Sequence, residues 1–188
     1  YLRWRVGNFE KAIEHYEKAI EKGKEAQDQN ILAKTYIGMG NTYAQKGEND
    51  LAITYYKRSI PPLNHQNAFR DLARANNNIG DQYMKKKEWD KALDYFDKSI
   101  ENSKKIGNKR LIGWCYFNKA EALAKEGEYD KARKYTHRSE QIMENINDLV
   151  GLSSIYRVKG IINRLEGNWN KGLEWMEKAI DKLDGLDV

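Results

Sequence analysis

From Gly7 the chain reads GNFEKAIEHYEKAI, and the same alternation of small, large apolar and charged positions returns from Gly47 as GENDLAITYYKRSI. It returns again as KEWDKALDYFDKSI from Lys87, GEYDKARKYTHRSE from Gly127 and GNWNKGLEWMEKAI from Gly167. The step is forty residues throughout, without an insertion. A period in this range marks a solenoid whose units bury their apolar faces against their neighbours.

Within each copy, Ala12, Ala52, Ala92, Ala132 and Gly172 are followed four residues on by Tyr16, Tyr56, Phe96, Thr136 and Met176. Ala19/Ile20, Ser59/Ile60, Ser99/Ile100, Ser139/Glu140 and Ala179/Ile180 follow at seven and eight. That spacing is one face of a helix. The preceding segment has the same character, with Leu32, Tyr36, Met39, Gly40 and Tyr43 recurring as Leu72, Asn76, Ile79, Gly80 and Tyr83, then as Ile112, Tyr116, Lys119, Ala120 and Leu123. Each unit therefore predicts two helices, with Gly40, Gly80, Ala120 and Gly160 as the points of close approach. The unit boundaries fall at about 1–30, 31–70, 71–110, 111–150 and 151–185, giving nine helices, a stub before Gly7 and no strand.

The small residues at Gly40 and Ala52, the aromatics at Tyr36, Tyr43 and Tyr56 and the turn glycine at Gly47 resemble the tetratricopeptide repeat signature, over essentially the whole chain. The period resembles the forty-residue subclass seen in Pins-type spindle adaptors and bacterial Rap-type peptide receptors, including the turns at Gly107-Asn108 and Asn147-Asp148. The resemblance implies an all-α, right-handed superhelical solenoid of antiparallel helix pairs, with residues 1–188 forming a single array. It also implies a partner-binding concave face lined by the first helix of each unit. Carried onto this sequence, that face comprises Lys34, Ile37, Gly38, Asn41 and Gln45, then Arg74, Asn77, Asn78, Asp81 and Lys85. Trp114, Phe117, Asn118, Glu121 and Lys125 follow, and then Arg157, Val158, Ile161 and Arg164.

Six of these residues are basic and two acidic, an excess of four positive charges in a chain whose formal net charge is +5. Such a field steers an acidic or carboxylate-bearing protein segment toward the groove. The amides of Asn41, Asn78 and Asn118 offer a donor and an acceptor to a peptide backbone, and Arg74 with Asn78 resembles the pairing by which Pins-type arrays hold extended peptides. Trp114 and Phe117 are expected as an exposed aromatic pair, a feature of binding sites. Ile37 and Trp114 stand where the chaperone-tail type of groove places lysines, so that partner class is disfavoured.

Several positions depart from the pattern. Lys119 and Lys159 replace large apolar residues, while Thr136 and Glu140 replace an aromatic and an aliphatic, so the later units are expected to pack less well unless the lysine stems lie along the core edge. Proline inside a helix costs ~3 kcal/mol, so the helix before Pro61-Pro62 is expected to stop near Ile60, with an irregular connection through His65. The chain starts at Tyr1, inside a first helix, and its last unit stops near Gly185 without a polar capping helix. It therefore reads as a fragment, and its ends are expected to expose apolar surface through which copies stack.

Chemistry narrows the function by exclusion. The glycines fall at turns and helix contacts, not in a phosphate loop. His15, His65 and His137 sit in different units, without metal-ligand spacing. Carboxylates such as Glu48/Asp50 and Glu128/Asp130 begin helices, where the dipole favours them. No catalytic residue, cofactor or metal is expected. The pI of 9.0 raises nucleic acid as a partner, but the basic residues alternate with acidic ones and no basic run reaches five. No apolar run is long enough for a membrane span. One cysteine, Cys115, without a zinc pattern points to the cytoplasm. The expectation is an adaptor or scaffold binding a protein or peptide, with a self-assembling array as the alternative.

Overall fold

A computed structural model describes the backbone of residues 2–184 and the side chains of residues 9–184. Among these residues there are nine helices and no strand: α1 (Leu2–Glu25), α2 (Gln29–Lys46), α3 (Asn49–His65), α4 (Phe69–Lys85), α5 (Trp89–Lys105), α6 (Lys109–Glu126), α7 (Tyr129–Asn145), α8 (Leu149–Leu165) and α9 (Trp169–Asp184). They fall into two compact units, Tyr1–Asn102 and Ser103–Val188.

The helices are cut to length by a repeated stop. Gln27, Gly47, Asn67, Lys87, Gly107, Gly127, Asn147 and Gly167 all have positive φ, one every twenty residues. Beside each, the next N–H reaches back five residues to a carbonyl, as in Asp28 to Gly23, Glu48 to Tyr43 and Asp148 to Met143, all at 2.9 Å. This bond and a left-handed residue end a helix and satisfy its last carbonyls. The following helix starts at once, and the carboxylates of Asp28 and Asp148 and the amide of Asn108 accept from its first N–H groups. The turns therefore recur at half the sequence period.

In the first compact unit the core lies where small residues of one helix admit rings of the next. A Cβ at Gly40 would stand 2.5 Å from the Tyr56 ring, and one at Gly80 2.6 Å from Phe96. Tyr56 and Phe96 are 2% and 0% exposed. Ser99 Oγ donates to the Ala73 carbonyl at 2.7 Å, so the small residue on the second helix also ties the pair by a hydrogen bond. The second compact unit repeats this device, with Ser139 donating to Gly113 at 2.7 Å.

Two expectations about helix ends are corrected. Helix α3 does not stop near Ile60 but runs on to His65 with both prolines inside it. The prolines withdraw two backbone donors, yet Pro62 and Leu63 are buried, and Leu63 joins Ala33, Leu72 and Ala75, with Ile37, Ile60 and Phe69 packed alongside. Burial on the order of 2 kcal/mol per large side chain offsets the broken backbone bonds, and the connection at Asn67 is the ordinary left-handed turn. The stub before Gly7 is likewise not separate, because α1 is continuous from Leu2. A continuous helix satisfies amides that a short folded-back segment would leave to solvent.

Candidate functional site

In the first compact unit, α2 and α4 present Asn41, Gln45, Asn78, Asp81 and Lys85 to one shallow cavity of about 290 Å³. Its floor contains Tyr56 of α3 and Gln82 of α4. Tyr56 Oη donates to Asn41 Oδ1 at 2.8 Å, and Asn78 Nδ2 approaches the same oxygen at 3.5 Å. One amide of α2, one amide of α4 and one phenol of α3 thus share a node, and the Asn41 NH₂ and the Asn78 carbonyl make no side-chain hydrogen bond among the described residues. Burial pushes the Tyr56 phenol up to about 12, with Asn78 drawing it the other way and Asp81 adding to the rise. The phenol is therefore a fixed donor at neutral pH. Lys85 pairs with Asp81 at 2.8 Å along one helix face, which ties down part of the basic excess. Gln82 is 1% exposed; its NH₂ donates to Asp81 at 2.9 Å, and its Oε1 has no hydrogen-bond partner among the described residues.

Lys34 and Arg74 are exposed on α2 and α4, form no ion pair among the described residues, and do not belong to this cavity's lining. Asn77, half-buried beside Asn78, is also outside it. In the second compact unit the expected open aromatic pair is corrected. Phe117 is 6% exposed, and its ring meets Trp114 edge-on, with centroids 5.4 Å apart and an interplanar angle of 82°. The two rings cover each other, so only half-buried Trp114 retains outward surface. Val158 is also buried, at 1%. Asn118 is half-buried on α6, Arg157 is exposed on α8, and Lys125 pairs with Glu121 at 3.2 Å.

Sequence reading missed Gln82, because its repeat equivalents are Thr42, Ala122 and Ile162; only Thr42 is polar and buried, and its hydroxyl is met by the Gly38 carbonyl, so no equivalent position signals a buried amide. It also passed over an aromatic column on the second helices that the forty-residue step does reveal: Tyr55, Tyr95, Tyr135 and Trp175. Each meets an aromatic ring of its partner helix. Tyr43 stacks on Tyr55 at 5.3 Å, Tyr83 on Tyr95 at 5.6 Å and Tyr116 on Tyr135 at 5.9 Å, while Tyr156 and Trp175 meet at 5.3 Å. Cations stand over these rings, with Lys57 over Tyr95, Lys119 over Tyr135 and Lys159 over Trp175. The two lysines that break the apolar pattern are therefore seated on aromatic faces, and Lys119 is only 4% exposed.

Among the described residues, no group of three or more His, Cys, Asp or Glu side chains could hold a metal ion, and no helix is long and apolar enough to cross a membrane. The tetratricopeptide repeat family model matches residues 1–61 and 71–145. The chain belongs to the tetratricopeptide repeat family. Solved structures share the fold at low identity. BtubC (BKLC) from P. vanneervenii matches with a TM-score of 0.83 and 19% identity, over 100% of this chain and 79% of that one. The apo form of RapI matches at 0.84 and 20%, over 97% and 67%. A Rap protein complexed with competence and sporulation factor matches at 0.75 and 19%, over 97% and 51%. No curated protein matches the sequence. As a tetratricopeptide repeat chain, this protein is an interaction module built from helix pairs.

Proposed function

We propose that this chain is an adaptor or scaffold that holds an acidic peptide or protein segment along its first helices. The observation that carries this reading is the shared node of Asn41, Asn78 and Tyr56 in the α2–α4 cavity, which aims a spare amide donor and a spare amide acceptor outward from neighbouring first helices. A peptide group needs both. Lys34 and Arg74, without ion pairs of their own, supply charge for an acidic segment. Asn77 lies beside the node, and Trp114, Asn118, Lys125 and Arg157 are the proposed contacts on the first helices of the second compact unit, taken by itself. The RapI-like fold and the Rap complex with competence and sporulation factor favour a bound factor as partner. The forty-residue step continues across Asn102, which supports reading residues 1–188 as a single array. Cys115 is buried outside any disulfide, in keeping with a cytoplasmic setting.

Selection of a random peptide library on the immobilised chain tests the reading. Peptides rich in Asp and Glu are expected. Asn78→Ala and Trp114→Ala should weaken them about tenfold, and Arg74→Glu should act mainly at low salt. Equal binding by all three folded variants would remove the site from the first helices.

A second reading, self-association, draws on α9, where Trp169, Leu173 and Ile180 are 67%, 61% and 59% exposed. Sedimentation at rising concentration, with Leu173→Lys as control, separates it from peptide capture.

A further inference from the structure

The repeat arithmetic exposes a missing ring. In the first compact unit, Lys91 stands 5.5 Å over the Tyr83 ring and pairs with Glu88 at 2.5 Å. Lys57 lies over the same ring and donates to its hydroxyl at 2.9 Å. Eighty residues later the lysine recurs as Lys171, but Tyr83 has become Asn163, Glu88 has become Asn168 and Lys57 has become His137. Lys171 has neither a ring beneath it nor an ion pair among the described residues.

A cavity of about 320 Å³ occupies this place, bounded by α7, α8 and α9, within the roughly 300–1,000 Å³ of small-ligand sites. Ile162 and Thr136, 1% and 2% exposed, lie deepest, and Trp175 forms an apolar wall. Exposed Lys171 and His137 stand at the mouth. The other two lining cations are engaged: Lys159 by Glu140 at 2.7 Å, and Arg133 by Glu166 and by exposed Asp130. Two further departures line the cavity from α7, Arg133 and Thr136, and a third, Glu140, holds the lining Lys159; two units earlier these positions read Ile53, Tyr56 and Ile60. Residues that break a repeat's own pattern together, without restoring its packing, mark a functional place.

We infer that this cavity binds a small aromatic carboxylate. Its ring takes the place of the missing tyrosine ring beside Trp175 and Ile162, and its carboxylate supplies Lys171 with the partner that Glu88 gives Lys91. The ligand restores in one molecule the two groups that the sequence has removed. The site is separate from the amide node of the first compact unit and does not depend on the peptide reading.

Benzoate tests this by NMR titration of the full chain, following the Trp175 indole N–H assigned with Trp175→Phe. Saturable binding near ~1 mM is expected for a ligand of this size. Benzyl alcohol lacks the charge and acetate lacks the ring, and each should bind at least about tenfold more weakly. Lys171→Glu should cost a similar factor. Asn163→Tyr combined with Asn168→Glu rebuilds the arrangement of the first unit and should abolish binding while leaving the helical circular dichroism unchanged. A Trp175 resonance that does not move, acetate binding as tightly as benzoate, or full binding by the rebuilt variant would each overturn the assignment.

Discussion

Lys159 Nζ lies 2.7 Å from both carboxylate oxygens of Glu140, joining α8 to α7. The corresponding positions hold Ile79 and Ile60 two units earlier, so two apolar residues have been replaced by an ion pair whose side chains are 17% and 15% exposed. Removing one partner strands the other charge, whereas replacing both by apolar groups need not cost stability. Glu140→Ile alone is expected to destabilise by about 2 kcal/mol, discounted for the remaining exposure. Glu140→Ile with Lys159→Met should recover most of that loss in urea denaturation; an additive double variant would contradict the pairing.

Gly80→Ala forces a methyl group into the Phe96 ring and should cost about 1–3 kcal/mol. The fourth unit carries the compensated pair, Ala120 with Thr136. Combining Gly80→Ala with Phe96→Thr should therefore destabilise by less than the two single changes added, a coupling that a double-mutant cycle reads directly.

Lys87 is exposed and has φ +61°, at the step where Gly47, Gly127 and Gly167 stand. A left-handed non-glycine residue costs about 1–2 kcal/mol, against which glycine carries its own unfolded-state entropy. Lys87→Gly is expected to gain roughly 0.5–1 kcal/mol, visible as a rise of ~2 °C in thermal unfolding.

Tyr56 is expected to ionise at about 12 in the folded chain. Because burial raises its folded value above the ordinary one near ~10, its stabilising share is complete below pH ~10 and falls away as pH rises toward 12. Tyr56→Phe should flatten the alkaline loss of stability over that window and remove the bond to Asn41, costing about 1 kcal/mol at neutral pH. An unchanged alkaline profile would count against the burial effect.

Gly40 and Gly80 were legible in the sequence as points of close helix approach, because such approach demands a small residue; that Tyr56 and Phe96 are the rings they admit came from the structure. The α2–α4 site was legible in part, since Asn41, Asn78, Asp81 and Lys85 share helix faces separated by forty residues. Phe117 was misread because periodicity places a residue on a face without saying whether a neighbouring ring covers it. The prolines were misread because local cost is visible in a sequence, whereas the burial of Pro62 and Leu63 that offsets it is not. The replacement of Tyr83 by Asn163 was present in the sequence too, but only the cavity that Asn163 lines gives it meaning.

The eight left-handed turns make the chain a set of interchangeable parts with one cutting rule. Glu48 and Glu88 both follow such a turn, so excising residues 48–87 would bring Gly47 to Glu88 and recreate the original Gly-Glu junction, with every later residue keeping its face. Excising twenty residues would close just as smoothly yet exchange first helices for second ones, turning core faces outward along the rest of the chain. Gain or loss by whole pairs is therefore cheap for this fold, and growth by single helices is forbidden although the joints themselves would permit it.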